Sequence, residues 1–207
     1  MKVGFVLECT RDGADVKVIS HVLKRLKTKQ DVAIDPCFRT MGNKRFLFEK
    51  CAATVEGLFD DERCDRVFVV WDLHPCNAEF QQNGTPCHVL ERDSLRDQLR
   101  LKDQPRTSFV CIRRMLETWL IADAGAVTGA VEALMSNHKD KVKRFSKVSR
   151  PETERDPKAR LMDYFDQNTH RDYVEAVHAL RIAENADLEK WRKVRSFDRL
   201  WTRLGGT

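Results

Sequence analysis

Apolar residues fall along the chain in short blocks that alternate between two periods. Residues 2–7 form a compact apolar run, and from Ala14 onward Val18, Ile19, Val22, Leu23 and Leu26 recur at steps of three and four, the spacing of one helix face. Val32, Ile34 and Phe38 mark a second strand over residues 31–38, where Pro36 points to an edge or a strand end. Residues 42–59 predict a helix with Phe46, Leu47, Cys51, Val55 and Leu58 facing inward. Val67-Phe68-Val69-Val70-Trp71 is then five apolar residues in a row, the signature of a strand buried on both faces. Beyond Pro75 the pattern weakens: residues 82–86 read as a loop, 92–101 as a helix and 108–112 as a fourth strand. Helical spacing resumes over 115–123 and 127–135. Asp156 then reads as an N-cap with Pro157 in the first helical position. From there to residue 204 the reading is helical, with Leu161, Tyr164 and Phe165 on one side, then Tyr173, Val177, Leu180 and Ile182. Strands alternating with helices of this length predict βαβ units joined by right-handed crossovers. The expected fold is therefore α/β, with a parallel sheet of about four strands.

Composition narrows the class. A chain of 207 residues, 42% hydrophobic and 33% charged, has the balance of a water-soluble globular protein. No apolar run approaches the roughly 18 residues of a membrane span. The first residues enter a strand at once, so no signal peptide is expected. Seven irregularly spaced cysteines without a CxxC suit a reducing, cytoplasmic setting. The net charge of +5 is unevenly placed: residues 1–136 balance 20 basic against 20 acidic side chains, whereas 137–207 carry 17 against 12. All of that excess lies in residues 137–150, where Lys139, Lys141, Lys143, Arg144, Lys147 and Arg150 face Asp140 alone. Such a run attracts phosphate backbones, and it also suits an ordinary solvated surface. We therefore divide the chain into an α/β domain, 1–136, and a basic, mainly helical extension, 137–207, which either stands apart or packs on the sheet.

Two apolar strands end on acids: Leu7 is followed by Glu8, and Trp71 by Asp72 with His74 two residues on. In open α/β sheets ligands bind outside the carboxyl ends of the strands. Two carboxylates there can hold a hard cation such as Mg²⁺ or Mn²⁺, although an acid in such a loop also simply turns the chain. Other constellations carry less. His74, Cys76, Cys87 and His88 offer zinc-type donors at a spacing that matches no common module. Cys9 beside Glu8 has a carboxylate neighbour that raises a thiol pKa. No GxxxxGK[ST] loop and no GxGxxG follows a strand. Trp119, Trp191 and Trp201 sit at helical positions suited to a core.

The order of these pieces resembles the Toprim superfamily, which includes topoisomerases, primases, OLD-type nucleases and RloB-like proteins. The likeness is strongest to small stand-alone Toprim-like bacterial proteins, often encoded beside an ATPase. It is carried by Val6-Leu7-Glu8-Cys9 with Gly13-Ala14-Asp15, by Val69-Val70-Trp71-Asp72-Leu73-His74-Pro75, by residues 117–123 and by Asp156-Pro157-Lys158-Ala159-Arg160-Leu161. The resemblance implies a Rossmannoid sheet. It makes Glu8 a metal ligand or general acid/base and Asp72 the first acid of a metal-binding pair. Position 74 departs from the pattern, since His stands where a second acid is expected, and imidazole is a poor Mg²⁺ ligand. Either metal preference has shifted toward Mn²⁺, or Glu117 or Asp15 supplies the missing carboxylate, or catalysis is lost; Glu117 is the preferred candidate. The expectation is a Mg²⁺- or Mn²⁺-dependent nuclease of a bacterial defence or toxin-like system. Its catalytic residues would be Glu8, Asp72 and Glu117, and its metal ligands those three with His74. Lys143, Arg144, Lys147, Arg150 and Lys158 would engage nucleic acid. An ATPase protein and further copies of the chain are the other partners it suggests. The alternative is a non-catalytic Toprim-like subunit that binds an ATPase or nucleic acid.

Overall fold

A computed structural model describes residues 1–30, 33–75, 78–82, 85–135 and 138–205 of the chain. The apolar runs form four parallel strands. Strand β1 (Lys2–Leu7) leads through α1 (Ala14–Gln30) to β2 (Asp35–Thr40), and α2 (Lys44–Asp60) crosses back to β3 (Arg66–Asp72). Two-residue strands β4 (Gln81–Gln82) and β5 (Thr85–Pro86) pair antiparallel. Helix α3 (His88–Asp97) follows, then β6 (Thr107–Ile112). The main sheet has the order β2-β1-β3-β6, every pair parallel. The chain steps from β1 to one side and then returns past it to the other, so a topological switch point lies between β1 and β3.

A parallel sheet must be covered on both faces, and alternation along the strands divides the core accordingly. Phe5, Phe68, Val70 and Val110 face α1 and the C-terminal helices, whereas Val6, Val67, Val69 and Trp71 face α2 and α3. Phe5 stacks between Phe38 and Phe68, with centroids 5.1 and 5.5 Å away. Helix α2 buries Leu47, Cys51, Val55 and Leu58 as its spacing predicts, but Phe46 is 41% exposed and holds the Lys50 ammonium 4.7 Å from its ring centre.

After β6 come the single turn α4 (Glu117–Leu120), α5 (Ala124–Leu134), α6 (Pro157–Thr169), α7 (Glu175–Asn185), α8 (Leu188–Trp191) and α9 (Arg195–Arg203). Asp156 caps α6 by accepting the Ala159 amide, with Pro157 in the first turn. These helices close the first core: Leu161, Phe165, Ile182, Phe197 and Leu200 belong to the same buried cluster as Phe5 and Val18. Trp119, Trp191 and Trp201 are buried there around Phe197. Lys17 and Arg25 of α1 donate to the Ala176 and Ala186 carbonyls, stitching α1 to both ends of α7. The inner face of α7 is His178, Ala179, Ile182 and Ala183; Tyr173 and Ile182 are buried as predicted, whereas Val177 is 49% exposed. The small Ala179 and Ala183 admit the close approach of α1 and α5 that a larger side chain would prevent.

Since one face of the sheet depends on helices from beyond residue 150, a chain ending there should lose its cooperative melting transition. Circular dichroism during heating reads this directly. A sharp transition retained by the shortened chain would mean that the sheet folds without them.

Candidate active site

Both strand-end acids stand at the switch point. Glu8 leaves β1 with its amide on the Val70 carbonyl, and its Oε2 accepts the Asp72 amide at 3.2 Å, so the two acids are tied through the backbone of β3. The turn from Glu8 into α1 closes with the Gly13 amide on the Thr10 carbonyl. A Cβ at Gly13 would lie 2.8 Å from that of Cys9, so only glycine allows this approach. Asp15 then enters in the first turn of α1, where the helix dipole favours an acid. Opposite, Gly42 at φ +83° gives its amide to the Cys9 carbonyl and turns the chain into the Asn43 cap of α2. Glu117 opens α4 and Glu175 opens α7. A cleft of about 230 Å³ is lined by Glu8, Cys9, Asp15, Asp72 and Glu175.

Two lysines face this acid group. Lys44, only 8% exposed, donates to the Leu73 carbonyl at 3.0 Å, to the Pro75 carbonyl at 2.8 Å and, at 3.4 Å, to Glu91. Glu91 also accepts the Trp71 indole N–H at 2.7 Å, so every charge in this second layer is partnered. Lys158, from the first turn of α6, hydrogen-bonds Glu175. Burial works against its ammonium, but Glu175, Glu117 and Asp72 hold its pKa above the ordinary lysine value.

The acids themselves are short of solvent and of partners. Burial pushes Glu8 up to about 7, with Lys44 opposing, and pushes Glu117 up to about 7, with Glu175 adding to the shift. Asp72 is raised well above the usual range by burial and by Asp15, Glu8 and Glu117 in turn. Asp15 is raised by burial first, then by Glu175. Carboxylates from residues 8, 15, 72, 117 and 175 thus sense one another. Asp72 Oδ1 and Glu117 Oε1 are buried without a hydrogen-bond partner among the described residues, and Glu117 is 1% exposed. Buried carboxylate oxygens left unpaired are the donor type that a hard cation takes, so the group fits Mg²⁺ or Mn²⁺ chemically. Among the described residues no three His, Cys, Asp or Glu side chains are already drawn together as a metal-holding group. Mg²⁺, which keeps several waters, is commonly held by one or two carboxylates together with substrate phosphate.

The structure brings Glu8, Asp72 and Glu117 into this group and turns His74 elsewhere. The His74 ring lies 3.0 Å, Nε2 to Nη1, from Arg114. Burial first, then Arg114 and Lys44, lower its pKa. With that nitrogen engaged by a guanidinium, His74 does not complete the acids' ligand set. For the zinc-type constellation, Cys76 lies outside the described residues, and His88 is exposed. The Cys9 thiol is raised by burial and by Asp15, which leaves it a poor nucleophile. Asp123 caps α5 and also accepts the Asp187 amide and the Lys190 ammonium, which accounts for it structurally.

Lys158 belongs to the acid group rather than to an open helix end. Lys143, Arg144, Lys147 and Arg150 are exposed along an extended segment. Its Val142, Phe145 and Val148 are inserted against the core at every third position, with Phe145 5.0 Å from Tyr164 between ring centres. Sequence reasoning passed over Lys44 and Glu175. A basic residue next to a helix cap and an acid in a first helical turn were the only signals they gave.

The DUF4276 family, a domain of unknown function, matches the chain over residues 12–205. No curated protein and no solved structure matches it.

A buried acid whose folded pKa lies above its unfolded one is stabilising only while protonated, so its penalty grows as pH rises from about 4.5 through about 7. In EDTA, Glu117→Gln should therefore be more stable than wild type at pH 8, by about 1–3 kcal/mol, and the gain should shrink toward pH 5. Denaturant melts of both proteins across this range check it; a variant less stable at pH 8 contradicts the assignment.

Proposed function

The chain belongs to the DUF4276 family, and we propose that it is a divalent-metal-dependent phosphodiesterase of Toprim type acting on nucleic acid. The observation that carries this reading is that Glu8, Asp15, Asp72 and Glu175, from distant parts of the chain, line one cleft at the switch point, with an orphaned buried oxygen on Asp72 and another on nearby Glu117. Asp72 and Glu117 are the ligands this favours, with Asp15 and Glu175 beside them. Held by Asp72 and Glu117, Mg²⁺ or Mn²⁺ would polarise a phosphoryl oxygen and lower the pKa of a bound water. Glu8, held near neutrality and anchored on the Asp72 amide, is suited to take a proton from the attacking water or return one to the leaving oxygen. Lys44 keeps the β3 loop in place beneath the acids, and Lys158 offsets their charge from the α6 side.

The Toprim resemblance supplies the defence or toxin-like setting and the ATPase partner. One observation favours the second reading, a non-catalytic subunit: His74, where an acid is expected, is engaged by Arg114.

Mn²⁺ or Mg²⁺ should raise the melting temperature of the wild type, and the rise should disappear in Asp72→Asn. On single-stranded, double-stranded and structured RNA and DNA, metal-dependent cleavage should fall at least about 100-fold in Glu8→Ala, with the fold intact by circular dichroism. Full cleavage by Glu8→Ala would refute the catalytic assignment. Nucleic-acid binding with neither a metal shift nor cleavage would favour the second reading.

The exposed run is the natural guide for a phosphate backbone, since none of the ion pairs among the described residues involves Lys143, Arg144, Lys147 or Arg150. Replacing Lys143, Arg144 and Lys147 together by Gln should weaken binding and flatten the dependence of log affinity on log salt by roughly two to three. An unchanged slope would remove this segment from the interface.

A further inference from the structure

A second concavity, of about 240 Å³, opens at the same end of the sheet, one strand away from the acids. Leu73, next to Asp72, and Cys111 of β6 form its floor. Its walls carry Arg113 from the loop after β6, Arg195 and Arg199 from α9, and His88 from the start of α3. None of the ion pairs among the described residues involves Arg113, Arg195 or Arg199. The one carboxylate in the lining, Glu152, has its Oε1 on the Arg195 backbone N–H at 3.1 Å, where it serves the first turn of α9. Ser196 adds a fixed donor. It is 7% exposed, and its Oγ accepts the Trp119 indole N–H at 2.9 Å, which leaves its own proton to give. Partial desolvation first, then Arg199, Arg92 and Arg113, lower the His88 pKa.

We infer that this pocket binds a phosphate group, held by the guanidiniums of Arg113, Arg195 and Arg199 with the Ser196 hydroxyl as a further donor. Guanidinium N–H groups match phosphate oxygens in pairs, and three unneutralised guanidiniums around one concavity repel each other until an anion enters. The ligand class is a phosphomonoester or phosphodiester, and that it belongs to a nucleotide or polynucleotide rests on the function proposed above. The inference does not depend on the acid cleft being catalytic, because the two sites share no side chain.

The test uses the full chain in EDTA at constant ionic strength, so that no metal-dependent chemistry intervenes. Inorganic phosphate should shift the His88 ring resonances in ¹H–¹³C NMR spectra, whereas chloride should not. Arg199→Gln and Arg113→Gln should each weaken that binding about tenfold without changing the melting temperature in phosphate-free buffer. A 5′-phosphorylated tetranucleotide that binds at least tenfold tighter than its 5′-hydroxyl counterpart identifies the group as a terminal phosphate. Equal binding of the two, still with a His88 shift and still weakened in Arg199→Gln, identifies an internal one. No shift of His88 with any of these probes, the same shift with chloride, or unaltered binding in both variants overturns the inference.

Discussion

One buried positive charge underlies the arrangement at the end of the sheet. Lys44 stands at the start of α2, reaches across the switch point and gives its protons to two carbonyls of the loop that follows β3. That loop carries the chain away from Asp72, so the ammonium fixes where the strand's acid points. The same charge opposes the upward shifts of Glu8 and Asp72. Glu91 and the Trp71 indole complete its surroundings, and a group this buried would be unfavourable without them. A like-charged cluster can persist in a poorly solvated cleft only where something this close offsets part of the repulsion.

Charge elsewhere is arranged in complementary fashion. The two lysines nearest the acids are engaged, Lys44 by loop carbonyls and Glu91 and Lys158 by Glu175, while cations without ion pairs among the described residues lie elsewhere. Lys143, Arg144 and Lys147 run along an extended surface segment, and three arginines gather beside α9. The apolar anchors of the basic segment, three residues apart, keep it on the body of the protein. A spacing of three matches an extended, left-handed chain rather than a helix or strand.

What the sequence disclosed follows from how local each signal was. β1, β3 and β6 were legible because four or five consecutive apolar residues need burial on both faces, and Glu8 and Asp72 because each ends such a run. Pro36 marked β2 as an edge, which it is. The opening of α2 was misjudged: Phe46 fits the apolar period but stands in the first turn, on the solvent side. In α7 Ile182 was placed inside and Val177 wrongly beside it, because the contacts with α1 and α5 run over alanines and His178, which a search for large apolar residues discounts. Glu175 and Lys44 join the site through contacts that no local pattern announces. His74 could be placed only once Arg114, forty residues later in the chain, was seen beside it.

The acids that line the cleft come from residues 8, 15, 72 and 175, so the first waits for the last across most of the polypeptide. At roughly 5–20 residues per second of synthesis, a nascent chain spends many seconds with Glu8 and Asp72 made and Glu175 still inside the ribosome. During that time Lys158 also lacks its partner, and α1 has no α7 to cover it. The complete cleft therefore cannot assemble before Glu175 has left the ribosome.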